Sequence, residues 1–244
     1  KNADIVASLN GVIELIKIQP RLDTLREMLE ECEAYNGIEE WNGKCVEWKL
    51  IETKVQASAS EIFHALNELY AFEIEVSKWV ILDRKLICDI LSLIFDTATL
   101  KGWNCCKNIP RNELIQEMKS DCEENVLVRV LELFADENEM NTELKLKEYE
   151  ITRVVGESLL EKHCNLQLIS KTQIVSESQF EKLWKDALPD EFCIKWDALN
   201  GLAVVVSTPA QRYVEYFPRH RLAVDAKMRF DAMFEKKKSW TRAE

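Results

Sequence analysis

The chain repeats itself at a period of 64 residues. Under that shift Leu50 and Ile51 fall on Leu114 and Ile115, Leu66 on Val130, and Leu69-Tyr70 on Leu133-Phe134. Ile87 with Ile90-Leu91 falls on Ile151 with Val154-Val155. A repeat of this length is domain-sized, so it predicts tandem small domains rather than a stacked solenoid. The first copy shows what the unit is. Trp48, Leu50, Ile51 and Val55 mark a short apolar-faced segment, broken by Gln56-Ala57-Ser58-Ala59-Ser60. Ile62, Phe63, Leu66, Leu69 and Tyr70 then take the spacing of a one-faced helix. Phe72, Ile74 and Val76 alternate with Glu73 and Glu75, and Trp79-Val80-Ile81-Leu82 supplies the partner strand. Helix, turn, helix, hairpin is the order of a winged helix-turn-helix.

The expected fold class is therefore mainly α with small β-hairpins (α+β), built from tandem winged-helix domains. Only 6 Gly and 5 Pro in 244 residues favour helix over sandwich or barrel. An apolar content of 47% is ample for cores, and 31% charged residues suits a folded soluble protein. No apolar run approaches the ~18 residues of a membrane span. The opening Lys1-Asn2-Ala3-Asp4-Ile5 has neither a secretory signal nor an initiator Met, which suggests a fragment.

Eight cysteines raise the prospect of a metal or disulfide framework, and their spacing argues against it. Only Cys105-Cys106 are close in sequence, no Cys-x-x-Cys occurs, and His64, His163 and His220 are scattered. Structural zinc needs short-spaced ligand pairs. Most of these thiols take apolar-face positions, as free Cys does in a core, so reduced cysteines in cytosol or nucleus are expected. No cofactor is expected. The net charge of −11 is unevenly spread: from Lys171 onward there are 13 Lys and Arg against 11 Asp and Glu. An acidic body with a mildly basic end favours protein partners and allows one local phosphate contact.

Read in order, residues 1–19 are expected to hold an orphan strand, apolar on both sides through Val12, Ile13, Leu15, Ile16 and Ile18, which needs cover on both faces; a helix start is the other reading. Residues 20–47 give a helix opened by Pro20, with Leu22, Leu25, Met28 and Leu29 on one face, followed by a linker. Winged-helix domain 1 spans 48–101 and domain 2 spans 106–165. A more divergent domain 3 spans 176–244 and is truncated at its C-terminus. In it a first helix carries Phe180, Leu183 and Trp184, and a second runs around Phe192 to Leu199. A long hairpin and a last helix over Asp225 to Lys237 complete it.

That third unit also carries a family resemblance. Phe180-x-x-Leu183-Trp184-x-x-Ala187-Leu188-Pro189, Leu199-x-Gly201-Leu202-Ala203, Arg229-Phe230-x-x-Met233-Phe234 and Trp240-Thr241 resemble the C-terminal half of the sister-chromatid-cohesion Dcc family. Pro20-Arg21-Leu22 with Leu25 and Leu29, and Gln56-Ala57-Ser58 with Glu61-Ile62, fall in matching order upstream. The resemblance implies an accessory subunit of the alternative replication factor C clamp loader, nuclear and non-catalytic, acting in DNA replication and cohesion. It implies an N-terminal β portion that joins two partner subunits in a shared barrel module, and that this module engages DNA polymerase epsilon, with the sliding clamp PCNA handled indirectly. It also implies winged-helix domains that bind single- or double-stranded DNA, and no membrane contact. On this reading the strand at 11–18 is the last of the missing barrel, and Val12, Ile13, Leu15, Ile16 and Ile18 bind partners.

Charge selects the unit that meets DNA. A winged helix lays its second helix in the major groove and holds phosphate with Lys and Arg. The first unit offers Glu61, His64, Glu68, Glu73 and Glu75, and the second offers Glu123, Glu124 and Glu132 around Arg129. Lys145 and Lys147 read as a solvated face. The third unit gathers Arg212, Arg219, Arg221, Lys227, Lys236, Lys237 and Lys238, the expected nucleic-acid contacts. Arg229, next to Phe230, Met233 and Phe234, is open to a packing role. Binding through phosphate alone is weak and tolerant of sequence. No Gly-rich phosphate loop, Gly-x-Ser-x-Gly or His-Glu-x-x-His is present, so the chain is not expected to be an enzyme. Two other readings stand beside this one: a winged-helix scaffold bridging proteins only, and a cullin- or endosome-type winged-helix adaptor.

Overall fold

The computed structural model describes residues 20–37, 41–137, 142–164, 175–207, 211–223 and 225–240. The strand expected within 1–19, with its five partner-binding residues, lies outside them. Helix α1 (Asp23–Glu30) buries Leu25 and Leu29 completely. Then come β1 (Val46–Glu47), α2 (Trp48–Lys54), α3 (Ala59–Glu68), β2 (Ala71–Glu75), β3 (Lys78–Ile81) and α4 (Arg84–Lys101). The same order returns as β4 (Ile109–Pro110), α5 (Arg111–Met118), α6 (Glu124–Phe134), β5 (Ala135–Glu137), β6 (Glu143–Leu146) and α7 (Glu148–His163). Both sheets are three-stranded and antiparallel, with the last strand of the hairpin in the middle: β1-β3-β2 and β4-β6-β5. The 64-residue shift thus relates two units of one β-α-α-β-β-α topology, with Val80 and Leu144 fully buried at matching places. The two-residue strands β1 and β4 were not foreseen, because a pair of residues shows no period.

Local chemistry sets the breaks. Ser58 caps α3 in a reciprocal box with Glu61, satisfying backbone donors at the helix start. Tyr70 ends α3 in the left-handed region at φ 54°, where the chain turns into β2. Gly102, at φ 67°, ends α4, with its own and the Trp103 N–H turned back onto the last carbonyls.

The third unit departs from this plan. It has α8 (Glu177–Asp186), capped by a Ser176–Gln179 box, then β7 (Ala203–Ser207), β8 (Arg212–Tyr216) and α9 (Ala226–Lys236). In place of the helix expected around Phe192 to Leu199 is a four-residue 3₁₀ turn, Trp196–Leu199. Pro189 and the stretch to Lys195 give no run long enough to propagate a helix. The last helix stands where the sequence places it, at Ala226–Lys236. Phe230 and Phe234 on it are each 54% exposed, their rings stacked on one another at 6.3 Å rather than packed inward.

Packing groups the elements differently from their order along the chain. One core joins α1 to β1, α2 and α3 through Leu25, Leu29, Val46, Ile51, Ile62 and Leu66. A second joins α4 to α5 and α6, and continues through α7 into the third unit. Each long helix that leaves a hairpin therefore buries its apolar stripe with the unit after it. The segment expected as a linker takes part: Tyr35 bridges to Leu82, and its hydroxyl donates to Glu123 at 2.7 Å.

Helix α7 is the strut. It packs on α4, α8, β8 and the 3₁₀ turn. Gly156 is what lets the third unit approach, since a Cβ there would lie 2.7 Å from Leu199 Cδ2 and 2.9 Å from the Trp184 ring. The Trp184 indole N–H donates to the Thr152 carbonyl at 2.9 Å, and Arg153 Nη1 donates to the Ala198 carbonyl at 2.6 Å. Gly156→Val should therefore overpack this contact and lower stability by about 2–3 kcal/mol, read as a lower urea midpoint.

Candidate nucleic-acid interface

The seven cations expected to meet DNA all belong to the third unit, and the fold disposes of them unequally. Arg212 opens β8 and pairs with Glu177 at 3.1 Å. Arg219 and Arg221 bracket a short 3₁₀ turn after the hairpin. Arg221 pairs with Glu161 of α7 at 3.2 Å and lies over the Tyr216 ring at 5.2 Å. Lys236 reaches the buried carboxylate of Glu215 at 2.6 Å, which ties α9 to β8. Lys237 sits over the Trp240 ring at 5.8 Å. Arg219, Lys227 and Lys238 are exposed. Arg229 does serve structure: its Nε donates to the Ala223 carbonyl at 3.1 Å.

The second helices of the first two units are also accounted for. On α6, Arg129 turns away from solvent toward the first unit. Its Nε donates to the Ala71 carbonyl at 2.8 Å and its Nη2 to Asn67 Oδ1 at 2.7 Å, while Nη1 meets Glu132 at 3.0 Å. Tyr70 stacks obliquely on Phe134 beside it, at 5.6 Å. Helix α6 is therefore pinned against the neighbouring unit, with its cation consumed. On α3, His64 faces Glu68 at 3.5 Å and Glu61 is engaged at the cap. Lys147 donates to the Glu132 and Leu133 carbonyls at 3.3 Å, neutralising the C-terminal end of α6. Lys145 is exposed on β6.

A charge network that spacing alone did not reveal joins all three units. Arg84, at the start of α4, meets Glu157 at 3.0 Å and Glu161 at 2.6 Å on α7. Glu161 also holds Arg221, and the Tyr216 hydroxyl donates to Glu157 at 3.0 Å. Burial opposes the Arg84 charge, but the carboxylates outweigh it and raise its pKa above the ordinary value. The nearest sequence signal was Glu157 and Glu161 four apart on α7, with Arg84 far upstream. Beside the network run two open clefts of about 620 and 410 Å³, both lined by Arg26, Glu68, Tyr70 and Arg153. Cations and carboxylates both line them, so they present no field of one sign to a polyanion. Among the described residues, no three His, Cys, Asp or Glu side chains are grouped to hold a metal, and no helix is long and apolar enough to cross a membrane.

Comparison with known proteins shows the family. The family described as "Sister chromatid cohesion protein Dcc1" matches residues 1–244. The chain is 25% identical over 250 residues to sister chromatid cohesion protein DCC1 of Xenopus laevis, covering 100% of this chain and 61% of that one. Against the Homo sapiens protein of the same name it is 24% identical over 249 residues, covering 98% and 60%. Against that of Danio rerio it is 23% identical over 237 residues, covering 94% and 58%. The chain thus spans about three fifths of the length of these curated relatives.

The network carries its own pH signature. Burial, then the Glu157 carboxylate, push the Tyr216 pKa from 10.0 up to about 12. An unfolded chain loses that proton first, so the contribution is complete below pH 10 and is lost as pH rises through about 12. Urea midpoints measured across this window should fall more steeply for the unaltered protein than for Tyr216→Phe.

Proposed function

The chain belongs to the Dcc1 sister chromatid cohesion family, and on that premise we propose that it is a non-catalytic subunit of the alternative replication factor C clamp loader. In this reading it links PCNA loading and sister chromatid cohesion to the replication fork in the nucleus. Its three units are winged-helix domains, of which the third touches DNA weakly and without sequence specificity. The other clamp-loader subunits and DNA polymerase epsilon are its proposed protein partners, reached through the apolar residues Val12, Ile13, Leu15, Ile16 and Ile18. One observation beyond family membership carries the reading: the β-α-α-β-β-α unit occurs twice, with the middle-strand order that a winged helix requires. The third unit keeps the hairpin but replaces the reading helix with a 3₁₀ turn, which fits phosphate contact without base readout.

The internal pairings support a narrower set among the seven expected cations. Arg219, Lys227 and Lys238 are the proposed phosphate contacts. Arg212, Arg221, Lys236 and Lys237 would have to leave Glu177, Glu161, Glu215 and Trp240 to join them. A second reading, a scaffold that bridges proteins only, draws support from the docking of α6 on the first unit through Arg129.

Titration with short single- and double-stranded DNA at several salt concentrations separates the two. Three phosphate contacts on duplex give a plot of log K against log salt with a slope of roughly −3. Joint reversal of Arg219, Lys227 and Lys238 to Glu should abolish both binding and slope while leaving the thermal midpoint unchanged. Binding that persists in the triple variant, or carries no salt dependence, refutes the phosphate assignment and leaves the scaffold.

A further inference from the structure

We propose that the outer edge of β7 is a peptide-binding site that takes an extended, acidic segment of another protein as an added strand. This inference is independent of the nucleic-acid reading. The register of the hairpin fixes which backbone groups are available. Phe217 N–H donates to the Leu202 carbonyl at 2.8 Å, and the pairs Val204–Glu215 and Val206–Tyr213 follow at the same phase. The N–H and C=O groups of Ala203, Val205 and Ser207 therefore point away from β8. Among the described residues none hydrogen-bonds to them. The far edge of β8 is closed, since Val214 N–H donates to the Val175 carbonyl at 3.2 Å and Tyr216 N–H to that of Cys164 at 2.9 Å.

An open edge is a pairing hazard that proteins blunt with charge, a bulge or short length. The outer strands of the first two units carry these devices. Strand β2 bears Glu73 and Glu75 with a bulge between them, and its outward Ala71 carbonyl is taken by Arg129. Strand β5 has only three residues and bears Asp136. Strand β7 reads Ala-Val-Val-Val-Ser over five residues, with regular pairing and no charge.

Beside this edge lies a groove of about 320 Å³. Its apolar part comes from Trp196 and Leu199, because a 3₁₀ turn stands where α3 packs on β2 and α6 on β5. Among the described residues, Arg212 and Lys237 line it as well, with one carboxylate, that of Glu177. Main-chain hydrogen bonds to β7, an apolar pocket and a net positive wall are the parts that β-strand addition uses. They select an extended peptide with apolar residues at alternate positions and acidic residues between them.

The probes are two capped heptapeptides, one alternating Val with Glu and the other Val with Lys, titrated into the 244-residue chain. Binding is read by fluorescence anisotropy and by the amide signals of residues 203–207. The Val/Glu peptide should bind at least about tenfold more tightly than the Val/Lys peptide and shift the Ala203, Val205 and Ser207 amides. Val205→Pro deletes an outward donor without touching a bond to β8, and should weaken binding at least about tenfold. Val205→Glu, which leaves the backbone unchanged and sets a carboxylate against the acidic residues of the peptide, should do the same if the proline variant fails to fold. Equal binding of the two peptides, no binding of either, or binding that survives Val205→Glu would overturn the proposal. Concentration-dependent self-association lost in Val205→Glu, without peptide binding, would assign the edge to a second copy of the chain and overturn it equally.

Discussion

The close approach of the Trp184 indole to Gly156 is the contact on which the joining of the third unit depends. A helix interior normally excludes glycine, at about 1 kcal/mol relative to alanine. Here the missing Cβ lets Leu199 and Trp184 lie on the backbone of α7, and the indole N–H finds the Thr152 carbonyl. Helix α7 thereby faces two ways, toward α4 on one side and toward α8 and β8 on the other. Without that approach the hairpin and α8 would have no surface to close their core, because the 3₁₀ turn Trp196–Leu199 is too short to do it alone.

Electrostatics follows the same geometry. Glu157 and Glu161 on α7 collect Arg84 from the first unit's last helix and Arg221 and Tyr216 from the third. Glu157 is 6% exposed and Arg84 is largely enclosed, so neither charge can be deserted cheaply. The network links the three units through charged contacts beside their shared apolar core.

These uses of charge bear on reading any acidic protein for nucleic-acid contacts. A cluster of Lys and Arg in the third unit marks positive potential in the sequence, yet Lys236 neutralises a buried Glu215 and Arg221 completes the network on α7. Arg129 shows the same point on α6, where a cation on an exposed-looking helix position links two units. An arginine has a long apolar stem and five donors, so it serves packing and hydrogen bonding as readily as a polyanion.

The alternation of apolar residues determined much of this protein without tertiary information. The 64-residue repeat, both helix pairs, three hairpins and the closing helices all follow from short-range periodicity, because burial of one face is a local demand. Pairing across distance is not local, and only the tertiary structure decided it. Helices α4 and α7 join the core of the next unit, Phe230 and Phe234 of α9 remain exposed, and the second helix of the third unit shortens to a turn. Leu50 and Leu114 make the point most simply: they match in the repeat, yet one is 42% exposed and the other fully buried. The same residue in the same local pattern meets water or a core according to what the rest of the chain lays upon it.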